Sequence, residues 1–395
     1  MSLDQSFPQE LLHQPSSARL AYFRALTIGH PLLLQVYDDL RLAIRDSAPG
    51  SIIMVQGPAG VGKTTLLQRV EKDLKERLAP DLAQDVERLP VVRIDAIAPE
   101  SGSFNWKDYF RRLLIALEEP ESLIDRKVIP NQSGATFQNG ALRLISRENA
   151  VSSRLRHAVE QTLRRRRPLA VLVDDAQHLA IMGSGRKLLD QINTIKSIAN
   201  LSQITHVLTG TYELMTLRHL NGQLSRRSVD IEFNRYLSDN SEHREAFINC
   251  LWTFQQHLPL PKTPELVNQW DYFYERSIGC VGVLKDWLTG ALALALENGA
   301  QTLTSRDLER RALSVTQCAR MLSEAVDGER KLTESTDAKQ ELRKNLGLTV
   351  EMKSRQLSSN DPGLDATAPQ VAAKAKRRRI GQRNPSRHEI GAKRA

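Results

Sequence analysis

Five short apolar runs alternate with longer stretches of helical spacing in the first 240 residues. The runs have the length of buried strands and occur at 51–56, 90–95, 169–173, 204–211 and 229–233. Apolar residues three and four positions apart occur at 32–45, 65–78, 105–117 and 151–166. Buried strands that alternate with helices are typical of a parallel sheet covered on both faces. The pattern therefore predicts an αβα sandwich around a five-stranded parallel sheet.

The rest of the chain changes character twice. From about residue 241 the spacing is purely helical, with helices predicted at 242–256, 264–276, 281–297 and 305–324. After residue 326 apolar residues become sparse, so we expect little order there, with helix persisting at most to about residue 346. The predicted parts are an N-terminal extension (1–27), the αβα domain (28–236), a small helical domain (237–326) and a largely disordered tail (327–395).

A glycine-rich segment, GPAGVGKTT, follows the first strand and fits the phosphate-binding pattern G-x-x-x-x-G-K-[ST]. Glycines let backbone N–H groups turn toward phosphate oxygens, and the N-terminus of the next helix faces the anion. Lys63 supplies a positive charge for the β- and γ-phosphates, and the Thr64 hydroxyl can bind Mg²⁺. We therefore predict ATP and Mg²⁺ as cofactors. The predicted nucleotide contacts in the loop are Gly57, Pro58, Ala59, Gly60, Val61, Gly62, Lys63, Thr64 and Thr65.

Two carboxylates, Asp174 and Asp175, follow the third strand, at the sheet edge where α/β proteins bind ligands. Asp174 fits the acid that holds Mg²⁺, and Asp175 stands where a glutamate normally orients the attacking water. The alternative is that both acids cap the following helix. Thr209 and Thr211 end the fourth strand, where either side chain can reach the γ-phosphate; Thr211 is the predicted site residue.

His30 and Pro31 precede the phosphate loop and begin a predicted helix. Segments in this position often pack on the adenine, so both are predicted nucleotide contacts. For His30, a role as the residue that starts the helix beside proline is an equal alternative. Lys107, Arg111 and Arg112 share the helix predicted at 105–117. Taken alone, they indicate a solvated basic face.

The net charge of +9 is concentrated at the C-terminus. Residues 371–395 contain nine Lys or Arg and one acid, Glu389, so they carry +8 and leave +1 for residues 1–370. Any DNA contact by the folded part must therefore come from local basic patches. The three cysteines lack metal or redox spacing and are expected to be reduced core residues. No apolar run reaches membrane-spanning length, and the polar start does not resemble a signal peptide.

The order of these features resembles that of an AAA+ ATPase over roughly residues 28–325. The resemblance implies that the helical domain is a lid, and that Arg226, with Arg227 as the second choice, is an arginine finger for a neighbouring subunit. It implies that Lys285 is the second sensor of the lid, a position where arginine is commoner. The predicted fold is therefore an AAA+ αβα sandwich with a helical lid and a disordered basic tail.

Three segments are similar to the TniB/TnsC regulators of transposition: HPLLLQVYDDL before the loop, ESGSFNWKDYFRRLLIALEEP, and LTGTYEL. This resemblance implies a homo-oligomeric ring or filament on duplex DNA that links a TniQ-like target-selection protein to a DDE-type transposase. It also makes Lys107, Arg111 and Arg112 the predicted DNA contacts, and it implies a bacterial, nucleoid-associated protein of the cytoplasm without a membrane partner. The usual acidic pair in that family is Asp-Glu, so Asp174-Asp175 predicts slow hydrolysis.

Two other functions are consistent with the same nucleotide motifs. One is a replication-initiator or clamp-loader-like AAA+ ATPase, which a winged-helix domain after the lid would favour; none is evident in the sequence. The other is a nucleotide-switched scaffold that does not bind DNA. A gel shift with duplex DNA, with and without ATP, distinguishes the scaffold from the transposition regulator.

Overall fold

The computed structural model describes residues 6–85, 87–99, 104–118, 135–138, 141–144, 147–180, 186–219, 228–332 and 336–348. The chain divides into two compact units, Met1–Glu334 and Ser335–Ala395. Apart from one helix, all the elements below belong to the first unit. The basic segment predicted at 371–395 lies outside the described residues.

Seven strands in the described residues form two sheets. The strands are β1 (Ile52–Gln56), β2 (Val92–Asp95), β3 (Ala135–Gln138), β4 (Ala141–Leu144), β5 (Ala170–Asp174), β6 (Thr205–Gly210) and β7 (Ser228–Glu232). Five of them form a wholly parallel sheet in the order β2-β5-β6-β1-β7. This confirms the predicted sheet, with strand ends within a few residues of the predicted ones. Strands β3 and β4 form a separate antiparallel pair that the sequence analysis does not predict.

Thirteen α-helices are described. They are α1 (Ser16–Ala25), α2 (Pro31–Asp46), α3 (Lys63–Leu82), α4 (Trp106–Ala116), α5 (Arg147–Arg166), α6 (Arg186–Ser202), α7 (Met215–His219), α8 (Ser241–Gln256), α9 (Trp270–Ser277), α10 (Val281–Glu297), α11 (Ser305–Arg311), α12 (Val315–Leu332) and α13 (Thr336–Asn345). Helix α13 belongs to the second unit. Helix α6 lies outside the predicted elements, although Leu188, Ile192 and Ile195 have helical spacing and are buried.

The parallel sheet is buried on both faces because successive side chains of a strand point to opposite sides. Ile53 and Val55 of β1 belong to an apolar cluster with residues of α2 and α3. Ile52 and Met54 belong to a second cluster with residues of α4, α5 and α6. The sandwich of helices, sheet and helices is therefore present as the sequence predicts.

The helical domain has its own core, built from α8 to α11 and joined by α1. Phe23 of α1 is fully buried, and its ring lies 6.1 Å from that of Phe254. The segment predicted as an N-terminal extension (1–27) thus contributes to the lid core. A boundary at residue 27 does not separate it from the helical domain.

The last predicted helix, 305–324, is two helices. Helix α11 ends at Arg311, and Ser314 begins α12 by accepting a hydrogen bond from the Gln317 N–H at 3.2 Å. A serine in this position satisfies an N–H group that a new helix leaves open, so it favours a restart. The helix predicted at 264–276 also starts late, at Trp270, after a 3₁₀ turn at Val267–Gln269.

Helix α12 extends to Leu332, beyond the predicted lid boundary at residue 326. Arg235, in the chain that leaves β7, donates two hydrogen bonds to Glu329, at 2.8 and 3.2 Å. Gly328 lies on the ring of Tyr212, where an added Cβ would come within 2.1 Å of ring carbon. These contacts hold the end of α12 against the sheet domain, so residues 327–332 are helical, within the range to about residue 346 where the sequence allows helix to persist.

Among the described residues, no single helix is long and apolar enough to cross a membrane. One pair, Val267–Ser277 and Val281–Glu297, reaches that length and composition only jointly, across a bend of 111°. All three cysteines, Cys250, Cys280 and Cys318, are buried free thiols.

Candidate nucleotide-binding site

The glycine-rich loop joins β1 to α3 and requires glycine at specific positions. A Cβ at Gly57 would lie 2.2 Å from the Phe233 carbonyl oxygen, so the loop passes directly against the chain that follows β7. Gly60 and Gly62 have φ angles of 75° and 118°, in the left-handed region that favours glycine. Helix α3 begins immediately afterwards, at Lys63. The loop is thus a tight turn that ends at a helix N-terminus, which is the geometry that binds phosphate.

The Lys63 side chain lies inside this turn. Its ammonium donates hydrogen bonds to the carbonyl oxygens of Gly57, at 2.9 Å, and Pro58, at 2.8 Å. Burial lowers the pKa of Lys63 to about 8, while Cys280, Asp174 and Asp175 oppose that shift. A buried cation held only by carbonyl dipoles is stabilised by a bound anion. Lys63 therefore fits a phosphate group.

Asp174 is fixed at the C-terminal end of β5. It is 3% exposed, and its Oδ1 accepts hydrogen bonds from the Thr209 hydroxyl at 2.8 Å and the Asp175 N–H at 3.0 Å. Thr209 is fully buried on the neighbouring strand, β6. Thr211 is the predicted site residue, but Thr209 makes the contact with Asp174. The sequence signal for Thr209 was a polar residue within a buried strand, β6.

Asp175 is exposed and has a φ angle of 49°, a left-handed conformation. Its Oδ1 accepts a hydrogen bond from the Gln177 side-chain amide at 3.1 Å. Asp175 therefore turns away from the buried environment of Asp174, and the two carboxylates have different surroundings. Adjacent acids in different environments suit different roles, one as a cation ligand and one toward solvent.

Thr211 lies just beyond β6. Its N–H donates to Gln177 Oε1 at 3.3 Å, and its buried hydroxyl has no hydrogen-bond partner in the described part of the chain. Such a hydroxyl can bind a ligand atom that approaches the end of β6. A cleft of about 740 Å³ opens here between the loop residues Pro58 and Ala59, the end of β6 and helix α12.

His30 is the N-cap of α2 and Pro31 is the first helical residue. His30 is 6% exposed, its Nδ1 is hydrogen-bonded to the Tyr236 hydroxyl at 2.9 Å, and its ring lies 6.3 Å from that of Phe233. Burial lowers the pKa of His30 to about 4, so the ring is neutral at pH 7. Phe233 in turn lies 3.7 Å from the position of a Cβ on Gly62. His30 therefore borders the loop through Phe233, while its helix-starting role is also present.

The lid contacts the phosphate loop directly at the start of α10. The Val283 N–H donates to the Gly60 carbonyl at 3.2 Å, and a Cβ at Gly282 would lie 2.4 Å from the same oxygen. Lys285, one turn further, does not face the loop. Its ammonium binds the carbonyls of Arg24, at 2.8 Å, and Leu26. In this structure, Lys285 therefore fastens the end of α1 to the helical domain, and its role as the second sensor stays a prediction.

The predicted arginine finger, Arg226, and its second choice, Arg227, lie outside the described residues. The predicted DNA contacts lie on α4, where Lys107 and Arg112 are exposed and Arg111 is half-buried. Arg112 forms an ion pair with Asp108 at 2.6 Å, which offsets part of the basic charge of this face.

Two oxygen donors at this site suit Mg²⁺. Asp174 offers a buried carboxylate, and Thr64 offers an exposed hydroxyl at the start of α3. Mg²⁺ usually takes one or two protein oxygens and completes its shell with phosphate and water. No group of three or more His, Cys, Asp or Glu that would hold a metal alone occurs among the described residues.

Comparison with known proteins identifies a family match for the central part of the chain. Residues 46–217 match the family model described as AAA domain, and no curated protein matches the chain. Among solved structures, a Walker-type ATPase of Pyrococcus abyssi is 18% identical with a TM-score of 0.40, covering 79% of this chain and 75% of its own. The Aeropyrum pernix ORC1 protein, solved in complex with DNA, is 17% identical with a TM-score of 0.47, covering 75% and 68%.

The AMPPCP-bound DnaA of Aquifex aeolicus is 16% identical with a TM-score of 0.38, covering 74% of this chain and 68% of its own. With TM-scores below 0.5, none of these similarities assigns an activity to this chain. The match to the family model, the strand order and the phosphate loop agree with one another. The chain therefore contains an AAA domain at residues 46–217, within an AAA+ α/β fold.

Proposed function

We propose that this protein binds ATP and hydrolyses it slowly, and uses the nucleotide to assemble on duplex DNA as a regulator of transposition. The surroundings of Lys63 support the proposed ATP binding. Lys63 is buried inside the glycine turn, donates hydrogen bonds to the carbonyl oxygens of Gly57 and Pro58, and has a pKa that Asp174 and Asp175 raise against the effect of burial. A cation and two acids meet at the N-terminus of a long helix, which suits a magnesium-bound polyphosphate.

Each residue has a separate task in this proposal. Lys63 binds the β- and γ-phosphates, and Thr64 and Asp174 hold Mg²⁺, which neutralises charge on the phosphates when bound. Asp175 orients the water that attacks the γ-phosphorus, and Thr211 donates its free hydroxyl to a γ-phosphate oxygen. His30 and Pro31 border the adenine through the contact of His30 with Phe233.

Hydrolysis is proposed to require a second copy of the chain. Strand β7 ends the sheet, with β1 as its neighbour, and Arg226 precedes it. The resemblance to AAA+ ATPases assigns Arg226 the role of an arginine finger that reaches the nucleotide of an adjoining subunit. Such a residue stabilises charge on the transferred phosphoryl group and typically contributes roughly 10³- to 10⁵-fold to the rate. We therefore propose a ring or a helical filament.

The DNA part of the proposal rests on charge and on the family resemblance of the sequence. Lys107 and Arg111 on α4 supply positive charge for phosphate contacts. We assign the +8 of residues 371–395 to recruitment of the transposase, with DNA tethering as the alternative. The segments similar to TniB/TnsC regulators lie around the nucleotide site and on α4. On this basis the proposed partners are a TniQ-like target-selection protein and a DDE-type transposase, in the bacterial cytoplasm near the nucleoid.

A gel-shift experiment with duplex DNA tests this function. We expect a shift that requires ATP or a slowly hydrolysed analogue and is lost in Lys63→Ala. Lys107→Ala should weaken binding and lower the salt slope by about 0.9 per lost phosphate contact. Lys72→Ala, which removes an exposed lysine from α3, is the matched control and should bind normally. ATP binding without any DNA shift would instead support a nucleotide-switched scaffold.

A further inference from the structure

Gln177 connects the two strands that carry the candidate catalytic groups. It lies in the 3₁₀ turn Ala176–Leu179, directly after β5, and is half-buried. Its amide nitrogen donates to Asp175 Oδ1 at 3.1 Å, and its amide oxygen accepts from the Thr211 N–H at 3.3 Å. Both ends of one side chain are therefore used, one on each strand end, and the two partners fix the orientation of the amide.

We infer that Gln177 is a positioning residue for ATP hydrolysis, holding the Asp175 carboxylate in a set place relative to the end of β6. This inference rests on the proposed ATPase activity and adds a residue that none of the nucleotide motifs includes. Gln177 does not touch the nucleotide in this account. It acts through Asp175 and, on the other side, through the backbone of Thr211.

The need for such a residue follows from the surroundings of Asp175. Its carboxylate is exposed, unlike that of Asp174, so its rotamer is not fixed by packing. Its backbone is already fixed, because its N–H donates to Asp174 Oδ1 and its φ angle is 49°. The hydrogen bond from the Gln177 amide restricts rotation of the Asp175 side chain. It occupies Oδ1 and leaves Oδ2 available to a water molecule.

Gly210 provides the space for this bridge. A Cβ on Gly210, the last residue of β6, would lie 2.4 Å from Gln177 Oε1, and 3.0 Å from both the Gln177 backbone N and Leu214 Cδ1. Any side chain at residue 210 therefore pushes the Gln177 amide away from Thr211. Gly210 and Gln177 form a matched pair, and the loss of either one should have the same effect on Asp175.

A merely structural role for Gln177 makes a different prediction. If the amide only ties the turn to β6, its removal lowers the stability of the fold and leaves the turnover of the folded enzyme unchanged. If it positions Asp175, its removal lowers kcat while the nucleotide still binds, because binding depends on Lys63 and the loop. Measuring kcat and KM separately, together with the thermal midpoint, distinguishes the two roles.

Steady-state ATP hydrolysis by purified full-length variants is the test. Gln177→Ala should lower kcat roughly tenfold, a typical effect of misplacing a catalytic group, with KM and the thermal midpoint little changed. Gln177→Glu should be impaired at least as strongly, because an ionised carboxylate cannot donate the hydrogen bond that the glutamine amide makes and repels the Asp175 carboxylate.

Gly210→Ala provides a second route that leaves Gln177 in place. It should lower kcat by a similar factor in the wild-type background and by less than about twofold in the Gln177→Ala background, because coupled residues are not additive. Wild-type kcat in Gln177→Ala, or fully additive effects of the two changes, would overturn the inference and leave the proposed ATPase standing. A wild-type protein that binds ATP but does not hydrolyse it would overturn both.

Discussion

Lys63 is the residue on which the nucleotide site depends. It is 8% exposed and is surrounded by loop carbonyls, and burial lowers its pKa to about 8. The sequence motif predicts its identity and partner but not this pKa, which follows from the desolvation of the folded site. The same holds for Asp174, whose Oδ1 accepts from the adjacent Asp175 N–H and from the Thr209 hydroxyl, which only the parallel pairing of β5 with β6 brings to it.

The lowered pKa of Lys63 predicts a pH dependence of nucleotide affinity. Bound phosphates favour the charged ammonium, so above pH 8 the complex retains a proton that the free protein has lost. Affinity should be nearly constant from pH 7 to 8 and fall by up to about tenfold per pH unit above that. Titration of a fluorescent ATP analogue at pH 7.5 and 9.5 measures this. Equal affinity at both values would show that Lys63 stays charged or does not bind phosphate.

The short side chain of Asp175 is the basis for predicting slow ATP hydrolysis. Aspartate is one methylene shorter than glutamate, and a displacement of the attacking water on the scale of 1 Å can lower a rate by about a hundredfold. Asp175→Glu should therefore raise ATP turnover, whereas Asp175→Asn, of nearly the same size but without charge, should lower it. Multiple-turnover phosphate release measures both. If Asp175→Glu is no faster, or Asp175→Asn is unchanged, Asp175 does not orient the water.

At the scale of elements, periodicity predicts well where one apolar face meets one core. The five strands and helices α2, α4, α8 and α10 lie close to their predicted positions. Periodicity alone does not give the end of a helix where interactions between residues distant in sequence decide it. Residues 327–332 are polar, yet they are helical because Glu329 pairs with Arg235 and Gly328 accommodates Tyr212.

The contact of α12 with the end of β6 predicts a specific effect on stability. Gly328→Ala places a methyl group 2.1 Å from Tyr212 Cγ, which forces a rearrangement and should destabilise the fold by about 1–3 kcal/mol. Gly290→Ala, in α10, is the control, since its Cβ meets only the flexible Arg311 side chain at 3.4 Å. It should be neutral or stabilise by up to about 1 kcal/mol from helix propensity. Urea denaturation of both variants is the measurement; equal effects would contradict the packing role of Gly328.

The whole molecule combines a nearly neutral folded part with a concentrated basic segment. Residues 1–370 carry +1 and residues 371–395 carry +8. This separation is visible in the sequence, but its purpose is not, because charge alone suits both DNA tethering and a protein partner. The Lys285 contact shows the same limit. Lys285, the predicted second sensor, is hydrogen-bonded to the Arg24 carbonyl because α1, far away in sequence, packs beside it.

Removing residues 371–395 should leave ATP hydrolysis and DNA assembly largely intact while abolishing transposition, since we assign this segment to recruitment of the transposase. A full-length variant with the nine basic residues changed to glutamine controls for chain length. Transposition assays, together with DNA-binding isotherms over a range of salt concentrations, distinguish transposase recruitment from DNA tethering. A salt slope reduced by about 0.9 per lost contact would favour DNA tethering instead. Unimpaired transposition would leave the segment without either role.

Nucleotide-dependent assembly on DNA is the central claim, and negative-stain electron microscopy tests it most directly. Full-length protein is imaged with duplex DNA and a slowly hydrolysed ATP analogue, with DNA alone, and with the analogue alone, beside Lys63→Ala under the same conditions. We predict rings or filaments along the DNA only when wild-type protein, DNA and the analogue are all present. Assemblies that form equally well in Lys63→Ala, or no assemblies under any condition, would contradict the account.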